Sequence, residues 1–469
     1  MTDRDVDVVV IGSGAAGLTA ALTAREAGCS VVVAESEQVV GGSSRLSEGI
    51  IMAAGTEFQK DQGIVDTPDD LYDEYLLLNQ FVVQPGIVRR LADESAAAVH
   101  WLSELGVRYL PWVMLGGEER NPRSHVPAGR GQRVMDALER HCRARGIEIA
   151  LGRRIDRLLV TDGRVTGVAS GDDELRSGAV IIATGGIGAS PELLGKHVPS
   201  LNQADRWYFY VGADGSRGDG LGLGAQVGAD TVGHDRAVAL VSPKLTTKEF
   251  DGYLPGWMLL LDGAGHRLCA ETAPYGVLSG LVGDNGGHAF GFFDSAILEE
   301  NGTASLPTLK VEYPPGKPAP AHVWTTENIK RMIDSGSVRQ AATVQELARD
   351  LGLSPHAVGG AVERYNGFAE QARDGDFLKA PKFLRRIGKA PFYGVELRAA
   401  ALGLTCYGLR IDAEARVMDR SNRDIPGLFA AGECVGGVLG PRYMGSGNSW
   451  TNCVVFGRAA GRSAALVAN

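Results

Sequence analysis

Of the six positions from Val6 to Ile11, five are apolar and no polar alternation interrupts them. Such a run predicts a short strand buried on both faces. A glycine-rich turn from Gly12 to Gly17 leads into an Ala-rich helical stretch that ends near Ala27, and residues 30–34 predict a second buried strand. Strand, helix and strand in that order are what a parallel pair with a right-handed crossover produces, the unit of a doubly wound α/β sheet. Residues 67–105 and 131–145 carry apolar positions at helical spacing, with a loop at 116–129 between them. Residues 147–151, 155–161 and 164–169 alternate or run apolar around an Asp162-Gly163 turn, which predicts a small antiparallel sheet. Residues 180–183 then restore a fully buried strand.

Beyond Gly233 the pattern changes to short strands, a Pro-rich stretch at 313–320 and helices at 327–334, 343–351 and 355–371. The apolar stripes of these helices read as core. Near Lys389 the buried-strand texture returns and runs through residues 428–431 to a closing helix after Asn448. The expected organisation is therefore a first domain in two parts, 1–234 and 389–469, with a second domain, 235–388, inserted between them. A length of 469 residues fits two cores better than one.

Composition narrows the function classes. A net charge of −9 argues against nucleic acid as the partner, since phosphate neutralisation needs an excess of clustered Lys and Arg. The six cysteines lack CxxC or CxxxxC spacing, which removes zinc ribbons and flavin disulfide reductases and leaves no metal site to expect. No window is apolar enough for a transmembrane segment. The first apolar run starts at Val6, too early for an export signal ahead of it, so a reducing, cytoplasmic location is expected.

Gly12, Gly14 and Gly17 form GxGxxG between the first strand and its helix. There the glycines allow a tight turn and close approach of a pyrophosphate to the helix N-terminus. Glu35 ends the second strand, where a carboxylate accepts from ribose hydroxyls. A glycine-rich turn beside a surface Glu is the bland alternative, and the flanking strand and helix argue against it.

Further segments distinguish FAD from NAD: Gly41-Gly42-Ser43-Ser44, then Ala183-Thr184-Gly185-Gly186, then Ala431-Gly432-Glu433. In this order they resemble the α/β two-dinucleotide-binding-domain flavoproteins, with a Rossmann-like FAD domain and an inserted α+β capping domain. With Arg123-Ser124-His125, Gly218-Asp219-Gly220, the stretch Gly265-His266-Arg267-Leu268 leading to Glu271, and Gly445-Ser446-Gly447-Asn448-Ser449, the chain is similar over nearly its whole length to one family. That family contains soluble fumarate reductases, succinate dehydrogenase flavoprotein subunits, L-aspartate oxidases and 3-ketosteroid dehydrogenases.

The resemblance implies that FAD is held by Gly12, Gly14, Ala15, Ala16 and Gly17, by Glu35 and Ser36, and by Gly42, Ser43, Ser44, Ser47 and Gly49. It extends the set to Ile155, Ala183, Thr184, Gly185, Asp219 and Gly432. Glu433 is implied at the ribityl chain, and Gly447, Asn448 and Ser449 at the pyrimidine ring, where a positive helix end favours a reduced, anionic flavin. Residues 42–47 contain no histidine for a covalent link, so non-covalent FAD is expected.

The departures from the fumarate reductases bear on the substrate. Four residues after Glu271 stands Tyr275, where those enzymes carry a proton-donating Arg, and the segment Leu404-Thr405-Cys406-Tyr407-Gly408 has Leu in place of their carboxylate-binding His. Exchanging Arg and His for Tyr and Leu converts an anion pocket into an apolar one with hydroxyls. Tyr275, Tyr443 and Ser446 resemble residues of the ketosteroid dehydrogenases. This implies oxidation or reduction of a CH–CH bond beside a carbonyl, with hydride exchanged at flavin N5, a tyrosine handling the proton, and an external electron acceptor or donor.

An apolar cyclic ketone or enone, with a 3-ketosteroid foremost, is the expected substrate, and steroid metabolism the expected setting. Two rivals stay open. One is a reductase of a small unsaturated carboxylic acid, which needs Arg442, Arg217 or Arg123 as anchor; the other is a non-catalytic flavin-binding subunit or redox sensor. Bland readings also compete: Tyr275 as packing, Tyr443 and Ser446 as a loop that wraps the flavin, Tyr407 as a structural residue, and His125 and His266 as satisfied loop histidines.

Overall fold

The computed structural model describes residues 4–468 apart from 118, 205–206, 246–249, 304, 315, 318 and 320, so the Pro-rich stretch at 313–320 lies partly outside the described residues. The chain divides into two compact units. The first comprises Met1–Pro199, Gly212–Val238 and Leu404–Asn469, and the second comprises Ser200–Val211 and Ala239–Gly403.

The first unit is organised by a sheet whose central strand is β1 (Val6–Ile11). Val8, Val9 and Val10 are wholly buried, as an uninterrupted apolar run requires. On one side β1 pairs in parallel with β2 (Val31–Ala34), which pairs in parallel with Glu148–Ala150; on the other it pairs in parallel with Asp173–Ile182, which pairs in parallel with Asp424–Ala430. Five parallel strands thus end on the same edge of the sheet. The strands Arg157–Thr161, Arg164–Ser170 and the first half of Asp173–Ile182 form a small antiparallel sheet, but residues 147–151, expected in it, instead supply the parallel edge strand Glu148–Ala150 beside β2.

Between β1 and β2 runs α1 (Ala15–Glu26), whose small residues let the closing helix, Asn448–Ala468, pack along it. The helical stretch at 67–105 is two helices, Pro68–Leu78 and Pro85–Glu104, each entered through a proline in its first turn. A three-stranded antiparallel sheet, Ile51–Met52, Ser124–Pro127 and Tyr109–Met114, occupies part of the expected loop at 116–129.

In the second unit the long strand Phe392–Thr405 pairs antiparallel with Ala289–Asp294 and Val338–Ala341 and parallel with Phe209–Tyr210. Residues 389–403, grouped above with the first domain, are drawn into this sheet by those pairings. Trp257, Phe292, Phe293 and Trp324 fill the core beneath it. The three helices expected from spacing are present as Thr326–Asp334, Val344–Asp350 and Pro355–Glu370, each opened by a Ser or Thr side chain that accepts a first-turn N–H.

Candidate functional site

Because five parallel strands of the first unit end together, the segments that follow them converge. Their carboxyl ends surround a cleft. Gly12, Gly14, Ala15 and Ala16 come from the end of β1, and Glu35 and Ser36 from the end of β2. Ala183, Thr184 and Gly185 follow the strand that ends at Ile182, and Gly432 and Glu433 follow the one that ends at Ala430. Gly42, Ser43, Ser44, Ile155 and Asp219 complete the expected lining. The remaining candidates for the cofactor, Gly17, Ser47, Gly49, Gly447, Asn448 and Ser449, are not part of this lining.

The turn at Gly12 has φ +103, which a side chain would strain. Beyond it α1 begins after Gly14 with no side-chain cap and no acidic residue in its first turn, so its N-terminus presents N–H donors and positive potential. Ala15 N–H already donates to Ser44 Oγ at 3.1 Å. Glu35 is buried and ties the two strand ends together: Oε2 accepts from the Ser13 N–H at 2.8 Å and the Ser13 hydroxyl at 2.6 Å, and Oε1 accepts from the Glu37 N–H at 2.8 Å. Oε1 also accepts from the Ser36 hydroxyl at 3.2 Å, a bond that a ribose hydroxyl can replace.

Ser43 Oγ accepts from the Ala213 N–H at 2.9 Å, and Asp219 takes a bidentate ion pair from Arg154. The Thr184 hydroxyl is buried without a partner, a polar group waiting for one. Burial pushes the Glu433 carboxyl up to about 7, against the pull of two hydrogen bonds from Thr405. Helix-end donors for a pyrophosphate, carboxylates for ribose and ribityl hydroxyls, and an unpartnered threonine are the donor set that suits a dinucleotide. Ser13, Glu37, Arg153, Arg154, Ala213, Gly215, Ser216 and Cys453 also line the cleft and were not anticipated.

The other candidates sit elsewhere. Tyr443 is buried in the first unit; its hydroxyl accepts the Ser449 N–H at 2.9 Å and donates to Ser449 Oγ at 3.1 Å. Burial outweighs those bonds and pushes the phenol up to about 12, so it keeps its proton at neutral pH. The neighbouring Ser446 carbonyl accepts from Ser124 Oγ at 2.6 Å. Asn448 is buried, donating from Nδ2 to the Tyr75 hydroxyl at 2.9 Å while its Oδ1 has no partner. Ser47 Oγ accepts from the Trp450 indole at 2.8 Å, which anchors the closing helix.

Glu119 is a buried residue that spacing did not single out. It packs against Gly445, and burial pushes its carboxyl up to about 7 against the pull of the Glu119 and Gly117 backbone N–H groups and of Arg123.

In the second unit Tyr275 is buried and opens the helix Tyr275–Asp284, its ring edge-on to Tyr253 with centroids 5.3 Å apart. Glu271, four residues before it, is fixed by Arg267, by Lys379 at 2.9 Å and by the Leu260 N–H at 3.1 Å. Burial alone would raise this carboxyl, but Lys379 and Arg267 outweigh it and hold it below the usual range.

Among the weaker candidates, His125 bonds to the Arg123 carbonyl and to Thr56 Oγ1, each at 2.8 Å, and burial pushes it down to about 4, so it is a neutral, satisfied histidine. Arg123 is fully buried against Asp66 and Glu74, which occupies it as a substrate anchor. Tyr407 stacks on His197 and bonds to Thr231. No cluster of metal-ligating side chains occurs among the described residues, and no helix among them is long and apolar enough to cross a membrane.

A parallel sheet whose strand ends build a cleft of this chemistry defines a dinucleotide-binding α/β protein. Residues 7–450 match the family described as FAD binding domain, and the chain belongs to that family. With its relatives it is an FAD-dependent oxidoreductase of the fumarate reductase group. It is 30% identical to the vinyl phenol reductase of Lactiplantibacillus plantarum, over 98% of this chain and 96% of that one. It is 28% identical over 98% of its length to the NADH:fumarate oxidoreductase of Klebsiella pneumoniae, of which it spans 48%, about half. Among solved structures, the 3-ketosteroid-Δ4-(5α)-dehydrogenase of Rhodococcus jostii RHA1 in complex with 4-androstene-3,17-dione superposes with a TM-score of 0.82 at 26% identity, covering 99% of this chain and 98% of that one.

Proposed function

We propose that this protein reduces a carbon–carbon double bond conjugated to a carbonyl on an apolar, ring-containing substrate, with a 3-keto-4-ene steroid as the leading example. The observation that carries this reading is the protonated, buried hydroxyl of Tyr443. A phenol pushed up to about 12 holds its proton at neutral pH and is not available as a base in its resting state, which suits the reductive direction, where it starts protonated. FAD, when bound and reduced, supplies the two electrons as a hydride. Tyr443 donates its hydroxyl proton to the α-carbon of the substrate, and the resulting phenolate, which accepts the Ser449 N–H at 2.9 Å, recovers a proton from solvent before the next turnover. At two positions where the fumarate reductases it resembles carry Arg and His, this chain has Tyr275 and Leu404, a hydroxyl and an apolar side chain rather than cations.

The cofactor is held without a covalent bond in this reading, by the α1 N-terminus at the pyrophosphate, Glu35 at the ribose and Glu433 at the ribityl chain. Residues 42–47 offer no histidine for attachment. Acid precipitation is expected to leave the flavin in the supernatant.

The relative that reduces fumarate favours a second reading, reduction of a small unsaturated acid, which calls for Arg442 or Arg217 at the substrate. The two separate in one experiment: dithionite-reduced protein, kept anaerobic, is mixed with 4-androstene-3,17-dione, 4-vinylphenol or fumarate while the flavin band is followed. Reoxidation by the steroid enone is expected, slowed by about 10²–10⁴-fold in Tyr443→Phe with FAD still bound. Reoxidation by fumarate alone would overturn the enone reading.

A further inference from the structure

We infer that Thr405 is a positioning residue that aims the Glu433 carboxylate at the cofactor. The backbone N–H and the hydroxyl of Thr405 both donate to Glu433 Oε1, at 2.8 and 3.1 Å. The same hydroxyl accepts from the Ile187 N–H at 3.2 Å, so it is fixed at both ends. Ile187 directly follows the turn that begins at Ala183 and lines the cleft, and a chain of hydrogen bonds therefore runs from one strand end of the sheet to the carboxylate on the next. Gly186 makes the approach possible, since a Cβ there would collide with Glu433 Oε1 and with Thr405 Oγ1 together.

Two donors on Oε1 decide what Oε2 is for. No other hydrogen bond engages Glu433 among the described residues, while its side chain lines the cleft. A carboxyl group with one oxygen held twice can neither rotate nor split its acceptors at random, and it presents the second oxygen in a fixed direction to a hydroxyl. The two Thr405 donors also oppose the rise that burial imposes on this carboxyl. The inference rests on the reading that Glu433 meets the ribityl hydroxyls of FAD.

The test is FAD binding to apoprotein, measured by quenching of flavin fluorescence, for Thr405→Val, Thr405→Ser, Glu433→Gln and the double variant Thr405→Val/Glu433→Gln. Thr405→Val is expected to weaken FAD about tenfold, the consequence of losing one hydrogen bond to a charged group. Thr405→Ser, which keeps the hydroxyl, is expected to restore binding to within about twofold, and Thr405→Val is expected to add nothing once Glu433 is Gln. Unchanged binding in Glu433→Gln would overturn the Glu433 reading and the inference with it. Weakening in Glu433→Gln without any in Thr405→Val would overturn the role of Thr405 alone, as would losses that simply add in the double variant. If Thr405→Val does not fold as apoprotein, Thr405→Ser against Thr405→Ala carries the same comparison, and equal affinities there would overturn the inference.

Discussion

Glu433 and Glu119 are both carboxylates raised to about 7 by burial, and their neighbours separate them. Glu433 faces a cleft and holds two hydrogen bonds from Thr405, whereas Glu119 is packed against Gly445 with no side-chain donor among the described residues. A carboxyl with a higher pKa folded than unfolded binds its proton more tightly in the folded state. Its stabilising effect is complete below the ordinary value of 4.5 and is lost as pH rises through about 7. Glu119→Gln, which keeps the shape and removes the charge, is therefore expected to raise stability above pH 7 by on the order of 2 kcal/mol. The gain should vanish as the pH approaches 5. Thermal unfolding of both proteins from pH 5 to 9 checks this, and parallel curves would show that Glu119 carries no desolvation penalty. A residue of this kind escapes sequence reading because its burial comes from a loop 326 positions away, the one containing Gly445.

At the scale of elements, the charged cluster of the second unit joins pieces that no single helix or strand could hold. Lys379 reaches Glu271, the Met258 carbonyl and the Tyr365 hydroxyl, while Arg267 grips Glu271 and Asp374. Glu271 in turn accepts the N–H of Leu260, in the strand Leu259–Leu261. Removing one member strands a buried charge, so Lys379→Met is expected to cost about 3–5 kcal/mol, seen as a lower midpoint in denaturant. Burial alone would raise Asp374, but Arg267 and backbone N–H groups hold it at about 2. Its share of stability is full above its ordinary value of 3.8 and is lost only as pH falls through 2. What spacing revealed at this scale was local. The β1, α1, β2 unit is legible because the Val run, Gly12 and Glu35 lie within 30 residues, and the helix Val344–Asp350 because its apolar positions form a stripe. The strand Ser124–Pro127 was hidden because its partners are Ile51–Met52 and Tyr109–Met114, and Arg154 and Ser216 were hidden because only the folded sheet edge brings them to the cleft. The helix at Tyr275, rich in glycine and apolar on all sides, has no stripe to read.

For the whole molecule, the cofactor and the first unit depend on each other. The cleft exists only when strand ends from residues 11 to 430 are aligned, and a ligand bound only to the folded state adds stability by mass action. At a free FAD concentration of 100 times its dissociation constant the gain is about 2.7 kcal/mol, so the unfolding temperature of apoprotein is expected to climb with added FAD. A midpoint independent of FAD would mean that the cleft is not its site. Deleting residues 448–468 should abolish flavin retention, because that helix packs along α1, whose N-terminus faces the cleft. The alignment of the five strands also sets a timetable for synthesis. Four of them are complete by Ile182, but the fifth, Asp424–Ala430, is translated roughly 240 residues later, after the whole second unit. A nascent chain on the ribosome therefore carries an open sheet edge along Val180–Ile182 for the time needed to make half the protein, exposed to mispairing. Flavin capture belongs to the end of biosynthesis, and cells short of riboflavin are expected to accumulate the full-length chain in a form sensitive to proteolysis rather than a truncated one.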